Sequence, residues 1–346
     1  METGFTSSTS NAGQAAASAR ASQGFDFSEV EQWQRQVAQA NFTGLRQFLT
    51  QNRQSQDWQD RYFVLDVVAP SIQPGSLDKL CASEPHAADL HLIRGVHLFN
   101  LVSKSRGTKT ADRTTEQQIA QAEQFIKATI ASLRQVIQMD VADPTPHVFA
   151  MRSFQVFSEL NKHLQQAYQQ AVHLVPDFVP AHFVMVNAQS KKWGGSHGQA
   201  LQVARAALTH FKPGSDTAAC LFQAHILVWQ YAALFEKDKK RAEDYAHDGK
   251  VTQELNDAFD RWTASPYQTR RSSVPYLHHA AYWFYQAADR TRLQQALSKI
   301  AGKPWEKAWS FAGDWQKAYL SALEYAKTGI KPAGNEKKGG LFGWLK

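Results

Sequence analysis

Two elements of this sequence combine residue types that could bind a ligand. The first is Trp193-Gly194-Gly195-Ser196, which leads into an apolar-patterned stretch from Ala200 to Phe211. Adjacent glycines admit positive φ and close backbone approach. Ser196 stands where it can cap the next helix, and a helix N-terminus behind a glycine-rich lead-in can hold an anion. The stretch has neither the GxxxxGK[ST] spacing of a phosphate loop nor the GxGxxG of a dinucleotide site. It reads first as a sharp corner, with Trp193 packed into a helix crossing, and second as a binding turn. The other element is the pair Arg94 and Arg106, which flank GVHLFNLVSKS. An arginine on a largely apolar helix needs carboxylates or carbonyls if it is buried. Asp89, Asp112 and Glu116 are the local partners, so a salt-bridge network reads ahead of a ligand clamp. If both arginines face one groove with Trp193, that groove suits an acidic peptide or a carboxylate.

Other chemistry is not patterned. His86, His91 and His97 are five and six residues apart, which does not set three ligands on one helix face, and His278 and His279 are adjacent. There is no HExxH, no repeated Glu-x-x-His pair and no GxSxG. Cys81 and Cys220 lie far apart without CxxC spacing, which points to two buried thiols rather than a disulfide framework or a zinc site. No metal, no cofactor and no catalytic residue is expected.

The elements that must position these residues are helices. The chain has 346 residues, is 43% hydrophobic and 12% aromatic, and can bury a substantial core. Its 38 Lys+Arg against 31 Asp+Glu leave a net charge of +7, a mild excess with no visible nucleic-acid module behind it. Residues 1–24 are rich in Ser, Thr, Ala, Gln and Gly and are expected to be disordered. Order is expected from FDFSEVEQW, where Ser28 and Glu31 have capping-box spacing. Leu45, Phe48 and Leu49 point inward from a second short helix. Ile119, Ala122, Ile126, Ile130, Leu133 and Ile137 recur every three or four residues and predict a long amphipathic helix, stopped by Pro144 and Pro146. Further stripes run through Leu164, Ala167, Tyr168, Ala171, Val172 and Val175, and through Ala200, Val203, Ala204, Ala207, Leu208 and Phe211. Hairpin-bounded alternation is almost absent, so the expectation is an all-α protein.

Pro144, Pro176 and Pro213 are separated by 32 and 37 residues, near the period of about 34 of tetratricopeptide helix pairs. The match is degenerate, but it predicts a helical-hairpin array wound as an α-α superhelix, since one such pair cannot bury its own face. Residues 25–213 form the first helical region and 214–330 continue it with heavier aromatics. Trp283, Trp305, Trp309 and Trp315 are expected mostly in the core. AACLFQAHILVWQYAALF reads as an apolar helix too short and too interrupted for a membrane. Lys237, Lys239, Lys240 and Arg241 read as a solvated helix start, and Gly329 and Pro332 as a stop.

LHLIRGVHLFNLVSKSRGTKTADRTTEQ, the helix pair ending HLVPDFVPAHFVMV, and KKWGGSHGQALQVAR together resemble the bacterial domain family DUF4034. The elements that carry the resemblance are Arg94-Gly95, Arg106-Gly107 and Trp193-Gly194-Gly195-Ser196, with NFTGLRQFLTQNR similar to the family's start. It covers roughly residues 27–210. The resemblance implies tetratricopeptide-like helices and no particular activity.

The last segment, 331–346, is basic and glycine-containing and ends in Leu341, Phe342, Trp344 and Leu345. Large apolar residues on a flexible leash have no folding reason. They could dock in a partner, fold back, or touch a membrane surface, the last only weakly. The N-terminus has neither the basic nor the apolar region of a secretory signal, and the expected compartment is the cytoplasm. The functional expectation is a protein-binding scaffold or adaptor that takes a peptide or partner on a groove, with Arg94, Arg106, Trp193, Gly194, Gly195 and Ser196 as candidate contacts. The alternatives are an enzyme with its site near Arg94/Arg106 and Gly194-Gly195, and a peripheral membrane protein that uses its tail.

Overall fold

A computed structural model describes residues 27–106, 115–156, 160–212, 214–264, 267–300, 304–310 and 314–331, all helix, turn and connection with no strand among them. The predicted disordered start and the apolar tail residues Leu341, Phe342, Trp344 and Leu345 lie outside the described residues.

Three helices come first: α1 (Ser28–Ala38), α2 (Thr43–Ser55) and α3 (Trp58–Val68). Helix α1 buries Val30, Trp33 and Val37, and α2 buries Leu45, Phe48 and Leu49. The structure corrects the expected cap. Phe27 occupies the cap position of α1, and Ser28 is already its first helical residue. Helix α3 is buried nearly all round, the mark of an interior helix. After the short α4 (Asp78–Ser83) come α5 (Ala88–Arg106) and α6 (Glu116–Met139), a long hairpin. Gly95 lets the two approach, since a Cβ there would stand 2.7 Å from Leu133 Cδ2. Helix α6 carries the capping box that α1 lacks, Thr115 with Gln118. Its buried face is Ala122, Ile126, Thr129, Ser132, Leu133 and Val136, so the face includes two hydroxyls, while the expected Ile119, Ile130 and Ile137 are only half-buried.

The regular middle follows as α7 (Thr145–Phe154), α8 (Asn161–Leu174), α9 (Val179–Ala188) and α10 (His197–Ala207). Pro144 caps α7, and Pro146 and Pro180 sit in the first turns of α7 and α9, where a missing N–H does no harm. Leu164, Ala167 and Ala171 of α8 and Ala200, Ala204 and Ala207 of α10 are buried, as their spacing predicts.

Helix α11 (Ala219–Gln230) is led by a 3-10 turn at Asp216–Ala218 and prolonged by a π-turn at Tyr231–Phe235. These extensions give a continuous helical stretch Asp216–Phe235 of 20 residues and mean hydropathy 1.4, long and apolar enough by length and composition to cross a membrane. The sequence expectation that it is too short is corrected on that point. Its burial fits a core helix: 67% of it is covered by the rest of the protein, including α9, α10 and α14. The remaining helices are α12 (Lys239–Ala246), α13 (Gly249–Thr263), α14 (Val274–Gln286), α15 (Arg290–Ile300), α16 (Glu306–Trp309) and α17 (Trp315–Thr328), the last ended by Gly329 at φ 75°. Trp283 and Trp309 are fully buried, and the Trp309 Nε1–H donates to His278 Nδ1 at 3.0 Å. Both cysteines are buried and free.

One buried apolar cluster runs from Phe27 to Ala326. The chain also ties its distant parts together. Arg271 Nε lies 3.0 and 2.8 Å from the two Asp60 oxygens, and its Nη1 3.1 Å from Glu29. Trp305 packs on Phe63 with centroids 5.5 Å apart, and Lys307 reaches Asp66 at 3.3 Å. In an open solenoid each repeat touches only its neighbours. Contacts between residues 211 and 242 positions apart are of another kind.

Candidate functional site

The Trp-Gly-Gly-Ser element turns the chain from α9 to α10. Lys191–Trp193 form a 3-10 turn, and Gly194 follows at φ 87°, a conformation that favours glycine. Gly195 has no room for a side chain, because a Cβ would stand 2.1 Å from the Gln189 carbonyl oxygen. That same oxygen accepts from the Ser196 N–H at 3.1 Å, while the Gly195 N–H donates to Ser190 O. Ser196 is the predicted N-cap, its Oγ accepting from the Gln199 N–H at 3.1 Å. Both glycines and the serine thus have a structural reason to be there.

Trp193 departs from the expectation. It is 36% exposed rather than packed into a helix crossing. Lys192 Nζ sits 5.9 Å from its ring centre, and Lys191 reaches across to the π-turn, 4.3 Å over the Tyr231 ring and 3.3 Å from Glu236. Tyr231 stacks on Phe235 at 5.1 Å, and His197 meets Tyr231 edge-on. Phe235 is 50% exposed. Lys191 thus bridges the turn to the end of α11, where Glu236 takes both Lys191 and Arg241. Phe235 was not singled out from sequence. Its signal is the abrupt change from YAALF to EKDKK, where an apolar helix runs out into charge.

Arg94 lies elsewhere. Its Nε donates to Asp78 at 3.0 Å and its Nη1 to Ser132 Oγ at 2.9 Å. Of the expected partners, Asp89 instead pairs with Arg46 at 2.5 Å, and Asp112 lies outside the described residues. Arg94 lines a cavity of about 510 Å³ with His97, Leu98, Leu101, Lys104 and Phe125. His97 is buried, and neither ring nitrogen makes a hydrogen bond of ordinary geometry. Burial lowers its pKa, an effect that the nearby Ala69 backbone only partly offsets, so the ring is biased to its neutral form. Trp193 does not line this cavity, so the structure does not join the two sequence elements there. Arg106 ends α5, and its side chain lies outside the described residues.

Three buried carboxylates, those of Asp216, Asp60 and Asp143, have both oxygens occupied. Asp216, beside a second cavity of about 450 Å³, accepts on Oδ1 from Trp262 Nε1 and Tyr267 OH, both at 2.9 Å, and on Oδ2 from Ser273 Oγ at 2.7 Å. Burial raises its pKa, and the three donors pull it back only in part. Asp60 is raised by burial too, and is gripped by Arg271. Arg61 and Asp143 pair at 2.9 Å, 3% and 0% exposed. These carboxylates tie elements together, and their oxygens are already taken. Among the described residues no group of three His, Cys, Asp or Glu could hold a metal. Comparison of the chain with family models, with curated proteins and with solved structures finds no match.

Proposed function

We propose that this chain is a non-catalytic binding protein that takes an acidic partner segment with an apolar anchor on the Trp193–Tyr231–Phe235 face. The observation that carries the reading is the exposure of Trp193 in the turn and of Phe235 at the end of α11, two segments that Lys191 bridges through Tyr231, which stacks on Phe235. Aromatic residues give a partner large contact area, and cations at the rim select acidic chains. The α7–α8 and α9–α10 pairs are read as degenerate tetratricopeptide hairpins, in keeping with the DUF4034 resemblance and a cytoplasmic setting, as parts of the same proposal. Arg94 and Arg106 are left out of this face.

The test compares wild type with the Trp193→Ala/Phe235→Ala double variant, and with Leu320→Ala as an exposed control on α17. Each is used to recover partners from the native host at low salt. A stoichiometric partner held by wild type and control, lost by the double variant and released by added salt, is the expected result. Equal recovery by all three sinks the reading. Loss only on removal of residues 332–346 would transfer the function to the apolar tail.

A further inference from the structure

We propose that the cavity between α5 and α6 is a binding site for a small organic carboxylate that carries an apolar tail. It shares no residue with the Trp193 face, so either proposal can fail alone.

Helix α5 presents Arg94, His97, Leu101 and Lys104 at intervals of three, four and three, which is one face of a helix. All four line the cavity, and Phe125 of α6 faces them, with Leu77 and Asp78 closing the end near α4. The volume of about 510 Å³ falls within the range of small-ligand sites.

Three observations choose the ligand. The first is charge. Arg94 and Lys104 supply two cations, and Asp78, which is 62% exposed, supplies one anion. A singly charged anion completes that balance. The second is unused hydrogen bonding. A guanidinium has five N–H donors, and Asp78 and Ser132 take two of them. His97 is only 4% exposed, and the Ala69 backbone is the group that engages its ring, outside ordinary hydrogen-bond geometry. A carboxylate accepts from the guanidinium donors that remain, in the short charge-assisted bonds that such pairs make. The third is the wall. Leu77, Leu98, Leu101 and Phe125 are apolar, so inorganic phosphate would leave most of the surface unused, and a neutral apolar molecule would leave Arg94 unused. The Arg94–Asp78 pair is partly exposed, and pairs of that kind contribute little, so an incoming carboxylate can displace Asp78.

The test is calorimetric titration of the full chain with sodium decanoate, sodium phenylacetate and decanol. Two variants accompany it: Arg94→Gln, which removes the charge, and Leu101→Trp, which fills the space. One-site, saturable binding of at least one carboxylate is expected, at least tenfold tighter than decanol. Arg94→Gln should weaken it about tenfold or more, and Leu101→Trp should abolish it with an unchanged circular dichroism spectrum. If Arg94→Gln does not fold, the carboxylate–alcohol contrast and Leu101→Trp still decide. The proposal is overturned if neither carboxylate saturates, if decanol binds as tightly, or if both variants bind like wild type.

Discussion

The Asp216 hub and the Arg94–His97 cavity are both polar and both set among helices, yet they differ in one respect. At Asp216 every oxygen has a donor, from Trp262, Tyr267 and Ser273. At the cavity, the Arg94 donors outnumber their partners, and buried His97 meets only the Ala69 backbone, outside ordinary hydrogen-bond geometry. Buried polar groups are normally satisfied. A saturated cluster therefore explains itself as a clamp on the fold, while an unsaturated one leaves capacity for something that is not part of the chain. A raised carboxylate pKa at the first does not make it the reactive place.

The contrast can be broken by substitution. The largest effect is expected where saturation is complete and charged. Asp143→Ala removes the partner of buried Arg61 and the acceptor of the Thr145 N–H. It should lower unfolding stability by about 3–5 kcal/mol, read by urea titration. A loss below 1 kcal/mol would show that the pair is not the clamp it resembles.

Saturation also depends on protonation state. His279 donates from Nδ1 to the Pro275 carbonyl at 2.7 Å, and burial lowers its pKa to about 4. The unfolded chain takes up a proton near pH 6.5 and the folded chain does not until about pH 4. The unfolded state therefore binds more protons in that window, and stability falls as pH drops through it. This one group should remove up to about 3 kcal/mol. The slope of stability between pH 7 and pH 4 should flatten in His279→Gln, and an unchanged slope would refute the assignment.

The closest comparison uses one substitution in each region. Asp216→Asn puts an NH2 among three donors and should cost about 1–3 kcal/mol. Arg94→Gln removes a half-exposed ion pair and should cost about 1 kcal/mol or less. Equal losses in thermal unfolding would make the cavity another clamp.

Local features were legible in the sequence. Ser196 caps α10 and Gly329 ends α17 because the bonds that decide these ends lie within a few residues. The stripes of α8 and α10 were legible because burial follows the helical period. What failed was non-local. Helix α6 is turned so that Val136 is buried more fully than Ile137, which depends on how α5 packs at Gly95. Trp193 is exposed at the end of the 3-10 turn, which its place in the Trp-Gly-Gly-Ser pattern does not announce. The face Arg94–His97–Leu101–Lys104 could be written down from spacing alone, but that His97 is buried and meets the Ala69 backbone follows from what distant segments place around it. No local pattern announces that Asp60 meets Arg271.

That last contact has a consequence for synthesis. Glu29 and Asp60 wait for Arg271, which is made 242 and 211 residues later. At roughly 5–20 residues per second, translation takes on the order of 10–50 s to deliver it. The α8–α9 pair, joined by Tyr168 and His182 only 14 positions apart, can close as it leaves the ribosome. Helices α1 to α3 can pack on one another early, yet Phe63 stays without Trp305 throughout that delay.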